Sequence, residues 1–118
     1  MERDARAFLW DVLEAAQAIE SFVQGLDATS YAAQPLVHSA VERKFLVIGE
    51  ALNQLSKADP TTAARIPDLR AVIGFRNLLV HGYAEVDHDI VWYAIHKSLP
   101  QLREVAAGIL KDFAGRDG

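Results

Sequence analysis

The sequence predicts an all-α fold, an antiparallel bundle of four to five helices, and three observations carry that reading. Apolar residues recur at three- and four-residue steps in four separate stretches, the period of one helix face. No stretch alternates apolar and polar residues as a strand would. Glycine and proline are few, 7 and 4 in 118 residues, which leaves little chain for irregular structure. At this length a single domain over residues 1–118 is expected, long enough to bury a core.

The first stripe is Ala5, Leu9, Val12, Ala16, Ile19 and Val23, and Gly25 closes it where a helix C-terminus favours glycine. Asp27, Thr29 and Ser30 then form a polar turn rich in helix-capping side chains. Pro35 suits the first turn of a second long helix with the stripe Val37, Val41, Phe45, Ile48, Leu52 and Leu55. Its opposite face carries Glu42, Arg43, Lys44, Glu50, Asn53 and Lys57. Residues 59–67, with two prolines and two threonines, read as a connector holding at most one helical turn. A third, shorter helix is expected to start at Pro67, run through Val72, Phe75 and Leu79, and fray around His81-Gly82. Asp87 is a good N-cap for the fourth stripe, Val91, Ile95, Leu102, Val105, Ile109 and Phe113. Pro100 lies inside that stripe and predicts a kink or a break into two stacked helices. The tail from Gly115 to Gly118 is expected to fray.

Composition narrows the function. Cysteine is absent, which removes disulfides, thiolate nucleophiles and cysteine-based zinc sites. No run approaches the ~18 apolar residues of a membrane span. The charged start, Met1-Glu2-Arg3-Asp4-Ala5-Arg6, does not resemble a signal peptide, so a cytoplasmic location is expected. A net charge of −4 argues against coating nucleic acid by electrostatics alone, yet leaves room for a local phosphate site.

Chemistry concentrates in Arg76-Asn77-Leu78-Leu79-Val80-His81-Gly82-Tyr83. An arginine holds a phosphate in bidentate fashion, and a histidine at a helix C-terminus moves a proton near neutral pH. Burial of both among Leu78, Leu79 and Val80 would be costly without a partner or a task. Five residues of ideal helix set Arg76 and His81 about 140° apart with a rise near 7.5 Å. They meet only if the helix unwinds at Gly82 and His81 swings back, or if a second copy of the chain completes the site. Arg76 as an ion-paired strut and His81 as a helix cap stand as the plainer alternatives. The apolar side chains Phe75, Leu78, Leu79, Trp92 and Tyr93 exceed what thin helices need, and a two-fold dimer would bury the excess.

The run Arg76-x4-His81-x-Tyr83, with the polar Asn77 after the arginine, resembles the motif of the HepT-like branch of the HEPN superfamily. Glu42-Arg43-Lys44 leading into Ile48-Gly49-Glu50-Ala51, and Val86-Asp87 through Val91-Trp92, are similar to HepT proteins too, so the likeness spans about residues 5–112. The resemblance implies a HEPN-like bundle and the toxin of a toxin–antitoxin module, acting as a metal-independent endoribonuclease. It implies a homodimer with facing motifs, and an antitoxin of the minimal nucleotidyltransferase (MntA) type that adds AMP to the motif tyrosine. By that likeness Arg76 and His81 are catalytic, Asn77 supports the phosphate, and Tyr83 is the modification site. Neither a metal nor another cofactor is expected. Arg43, Lys44, Arg65 and Arg70 are the cations that would have to gather near the cleft to bind RNA.

Other readings compete. His81, Glu85, Asp87, His88 and Asp89 crowd into nine residues, as metal ligands do, but capping explains the aspartates and His88 at a helix start is usually solvated. His38 and His96 have no ligand-spaced partners and read as surface or boundary residues. A catalytically inactive HEPN-type adaptor that binds a nucleotidyltransferase would keep the same fold. A nucleotide site lacks a glycine-rich phosphate loop. Trp10, Trp92, Phe8 and Phe22 fall on or beside the apolar stripes and read as core or interface, not base-stacking platforms.

Overall fold

The computed structural model describes residues 4–81 and 86–117. These residues form seven helices: α1 (Ala5–Phe22), α2 (Ala28–Ala32), α3 (Pro35–Ala58), α4 (Pro60–Ala63), α5 (Leu69–His81), α6 (His88–His96) and α7 (Ser98–Asp117). The all-α bundle expected from the stripes is therefore what forms, with α2 and α4 as short helices between the long ones.

The caps follow local chemistry. Asp4 accepts a hydrogen bond from the Arg6 amide at 2.8 Å and starts α1, while Gly25, at φ 80°, takes the left-handed turn after it. Pro35 occupies the first turn of α3. Asp59 caps α4 through the Thr62 amide, and Asp87 caps α6 through the Asp89 amide at 2.9 Å. The break in the last stripe falls at Lys97, so that Pro100 sits in the first turn of α7, where it needs no amide donor.

Three expectations need correction. The polar turn at Asp27 is the start of a five-residue helix. Asp27 and Ser30 cap each other's amides at 2.9 and 2.8 Å, and hydrogen bonds from the Ser30 amide and hydroxyl hold the Asp27 carboxyl below its usual range. That turn drives Tyr31 into complete burial. Next, α5 begins at Leu69 and not Pro67, because Asp68 adopts a left-handed φ of 55°; its carbonyl still accepts from the Val72 amide at 3.0 Å. Finally, α7 continues through Gly115 to Asp117 where fraying was expected.

Packing sets α1 at the centre, against α3 on one side and α7 on the other, with α5 lying on α3 and α6 on α7 and α2. Leu9, Val12, Ala16 and Ile19 of α1, Val41, Ile48, Leu52 and Leu55 of α3, and Leu99, Ala106 and Ile109 of α7 are fully or almost fully buried. These are the predicted stripe positions, plus Leu99 and Ala106. α5 is different: Leu79 is its one buried residue, and Leu78 and Val80 are exposed. It is a helix laid on the edge of the bundle. No helix among the described residues is long and apolar enough to cross a membrane.

Candidate functional site

Helix α5 carries Arg76, Asn77 and His81 of the predicted residues, and Gly49 of α3 decides how close it comes. A Cβ built on Gly49 would overlap the Cβ of Arg76 and stand 3.0 Å from its Cγ. Glycine inside a helix costs roughly 1 kcal/mol relative to alanine, and here it admits the stem of Arg76 against the α3 backbone.

That approach delivers the guanidinium to Glu50, the residue after Gly49. Arg76 Nη2 lies 3.0 Å from Glu50 Oε2, and Arg76 Nη1 donates to Asn77 Oδ1 at 2.9 Å. The other carboxylate oxygen, Glu50 Oε1, accepts from Gln54 Nε2 at 3.0 Å. Gln54, Glu50, Arg76 and Asn77 thus form one ordered chain of polar contacts. The sequence places Glu50 on the face opposite the apolar stripe; in the fold it is the partner of Arg76. The signal that would have found it is Gly49, a costly glycine in the middle of an otherwise regular apolar stripe.

Arg76 keeps 31% of its side-chain surface and Glu50 47%, so this pair is neither a buried strut nor a free surface pair. An ion pair this exposed contributes about 0–1 kcal/mol to stability. Its stronger effect is on direction. One guanidinium N–H donates to Asn77 and the second terminal nitrogen lies against Glu50, which leaves other N–H groups for an anion. The opening beside it is a groove of about 380 Å³ lined by Asp11, Arg43, Leu46, Val47, Glu50, Ala51, Arg76 and Val80.

The structure brings together some predicted residues and separates others. Arg76 and Asn77 are in contact. His81 is exposed at the last turn of α5, and because the helix is unbroken from Leu69 to His81 the two catalytic candidates diverge by about 140°. The unwinding expected at Gly82 lies outside the described residues, as does Tyr83. The premise that Leu78 and Val80 bury the motif fails: both are exposed, so neither Arg76 nor His81 is stranded in an apolar interior. Of the four cations, Arg43 lines the groove, whereas Arg65 pairs with Asp112 at 2.6 Å and belongs to another face.

The aromatic residues divide as well. Phe8 joins the core, Trp92 packs beside Tyr31 with ring centroids 5.3 Å apart, and Trp10 and Phe22 are exposed. A second groove, about 270 Å³, lies among Phe45, Val72, Phe75, Tyr93 and Leu102. It is apolar, and Asp68 is the charged side chain in its lining, so phosphate chemistry belongs with Arg76.

Among the described residues, the crowded segment after the motif forms no metal-ligand group of its own. Asp87 is occupied as a cap, and Glu85 lies outside the described residues. His88 turns instead toward His38 and Glu42, with one ligand atom from each within 4.8 Å of the others. His38 therefore does have ligand-spaced partners, one four residues along its own helix and one far along the chain. His88 is half-buried where a solvated residue was expected. His96 is exposed and packs against Trp92, as a boundary residue should.

Comparison with known proteins places the chain in a family. A family model described as ribonuclease HepT-like matches residues 12–109. A protein of Methanocaldococcus jannaschii, named as a candidate RNase, is 31% identical over 116 residues, covering 98% of this chain and 95% of its own. A protein of Thermococcus cleftensis named "probable ribonuclease HepT" is 29% identical over 106 residues, covering 87% and 93%. A candidate RNase of Caldanaerobacter subterraneus is 27% identical over 106 residues, covering 90% and 94%. No solved structure gives a significant match.

Proposed function

Because the chain belongs to the ribonuclease HepT-like family, we propose that it is a metal-independent endoribonuclease, the toxin of a toxin–antitoxin pair, with Arg76 and His81 as its catalytic groups. Family membership supports a ribonuclease function and RNA as the substrate. The observation that carries the finer reading is the guanidinium of Arg76, held at the rim of an open groove by Glu50 and Asn77 with donors to spare.

The chemistry is transesterification. The ribose 2'-hydroxyl attacks the adjacent phosphorus, the bond to the 5'-oxygen breaks, and the products end in a 2',3'-cyclic phosphate and a 5'-hydroxyl. Arg76 stabilises the charge that builds on the phosphoryl oxygens, with Asn77 supporting its guanidinium. His81 takes the 2'-hydroxyl proton or supplies one to the leaving oxygen. Divergence of the two residues on one α5 is the reason for a homodimer: two facing copies of α5 give a cleft in which Arg76 and His81 need not share a helix face. Exposed Leu78 and Val80, inside the motif, and Trp10, 62% exposed, supply apolar surface that such an interface would cover. The whole chain acts as one domain in the cytoplasm.

Glu50 is a positioning residue in this account. Glu50→Gln is expected to keep the fold within about 1 kcal/mol and to lose about tenfold in cleavage, since the guanidinium is less well held. Loss of stability without loss of rate would mark the pair as a strut only.

Control of the toxin rests on Tyr83. An MntA-type nucleotidyltransferase would bind the chain and transfer AMP from ATP to the Tyr83 hydroxyl, with pyrophosphate leaving. The added charge beside the cleft would repel RNA. The test is incubation with such an enzyme and ATP, read by intact mass and by RNA cleavage. Wild type should gain AMP and lose activity, while Tyr83→Phe gains none and stays active. AMP on the Tyr83→Phe chain would place the modification elsewhere. A folded, unmodified wild type with no RNA cleavage would support the alternative, an inactive HEPN-type adaptor docking a nucleotidyltransferase through the same Arg76–Glu50 surface.

A further inference from the structure

Away from Arg76, three helices converge on a second polar cluster. Tyr31 comes from α2, His38 and Glu42 from the first two turns of α3, and His88 is the first residue of α6. Glu42 lies eight residues before Glu50, about 12 Å along α3, so the cluster is distinct from the Arg76 groove. His38 and His88 stack with ring centroids 4.0 Å apart, and His38 Nδ1 is 3.5 Å from Glu42 Oε2. Tyr31 closes the cluster from below, its ring 6.2 Å from His38 and 6.1 Å from His88.

Three atoms here lack what buried polar atoms need. The Nδ1 atoms of His38 and His88 and the Tyr31 hydroxyl are all buried, and none has a hydrogen-bond partner among the described residues. Each such atom costs about 1–3 kcal/mol when left unsatisfied, and native proteins seldom gather them at one point. Two imidazoles and a carboxylate are also the donor set that divalent zinc-type ions prefer. A histidine and a glutamate at i and i+4 share one helix face, and the third donor arrives from another element.

We propose that His38, Glu42 and His88 bind one divalent transition-metal ion of the zinc type. Tyr31 packs behind them, its ring edge-on to both imidazoles, the kind of surrounding contact that fixes a ligand's orientation. The donor atoms lie within 4.8 Å of one another, and tetrahedral zinc with bonds near 2.0–2.1 Å needs them about 3.4 Å apart, so small side-chain rotations close the site. The side chains of His38 and Glu42 keep 16% and 22% of their surface, which leaves an entry path. The ion is structural. It clamps the start of α6, seven residues past His81, to the start of α3, and takes no part in cleavage.

The test uses the full tag-free chain, stripped with EDTA, dialysed, and titrated with Co²⁺ and Zn²⁺. One Co²⁺ per chain should bind with the visible d–d bands of a four-coordinate nitrogen–oxygen site, and Zn²⁺ should displace it. At a hundredfold excess over Kd, Zn²⁺ should raise Tm by on the order of 10 °C. His38→Asn and His88→Asn should each abolish the bands and the Tm shift, with far-UV dichroism in EDTA matching wild type. Absence of bands and of a Tm shift in the wild type would overturn the proposal and leave ordered water as the partner of these atoms. Equal binding by both histidine variants would overturn it too. Wild-type titration decides the matter even if a variant fails to fold, and RNA cleavage enters neither arm.

Discussion

Arg76→Ala should lower RNA cleavage by about 10²–10³-fold, the usual consequence of removing one preorganised donor from a developing oxyanion. The same change should barely alter stability. Its ion pair with Glu50 is 31% and 47% exposed at the two side chains, and pairs of that kind contribute about 0–1 kcal/mol. Some packing of the Arg76 stem on Gly49 is lost as well. The two measurements separate the readings of this residue. A catalytic arginine gives a large rate loss and a small shift in the denaturation midpoint. A strut gives the reverse, a clear stability loss with cleavage intact. Chemical denaturation followed by dichroism, beside cleavage of a labelled single-stranded RNA, reads both.

Gly49→Ala should be destabilising by about 1–3 kcal/mol despite the better helix propensity of alanine. Propensity alone predicts a gain of up to about 1 kcal/mol, so the sign depends on what the new methyl meets. It meets the Cβ of Arg76, an atom fixed to the α5 backbone that no rotamer change can withdraw. Helix α5 must therefore move away from α3. That motion also breaks the register between Arg76 and Glu50, and a 1 Å misplacement of a positioning group can cost on the order of 10²-fold in rate. Thermal unfolding and RNA cleavage should both fall in this variant. A more stable and fully active Gly49→Ala chain would show that the close approach of α3 and α5 is not what orients the arginine.

Much of the fold is legible in the sequence because it depends on local rules. The stripes of α1 and α3 are buried at nearly every predicted position, and Pro35, Asp87 and Pro100 mark helix starts by chemistry that acts within one turn. The departures have local causes too. Asp27 and Ser30 cap each other strongly enough to turn a five-residue segment into helix, and Asp68 accepts a left-handed φ that delays α5 by two residues.

The site was less legible, because its partners are set by tertiary contact. Nothing in the spacing of Glu50 distinguishes it from Glu42 on the same helix, yet one meets an arginine and the other two histidine-bearing elements. Glu42 stands four residues after His38 on one helix face, a spacing passed over in the sequence, and His88 joins them only once the chain folds. The apolar run at residues 78–80 misleads in the opposite direction. It suggested burial for Arg76 and His81, whereas α5 lies at the edge of the bundle and offers Leu78 and Val80 outward.

The measurement that tests the central claim most directly is cleavage of single-stranded RNA in excess EDTA, wild type against His81→Ala, well below the unfolding temperature of either chain. The account predicts cleavage that persists without divalent metal, yields 2',3'-cyclic phosphate ends, and falls by about 10²–10⁴-fold in His81→Ala. Cleavage that requires added metal, leaves other ends, or is unchanged in His81→Ala would contradict it.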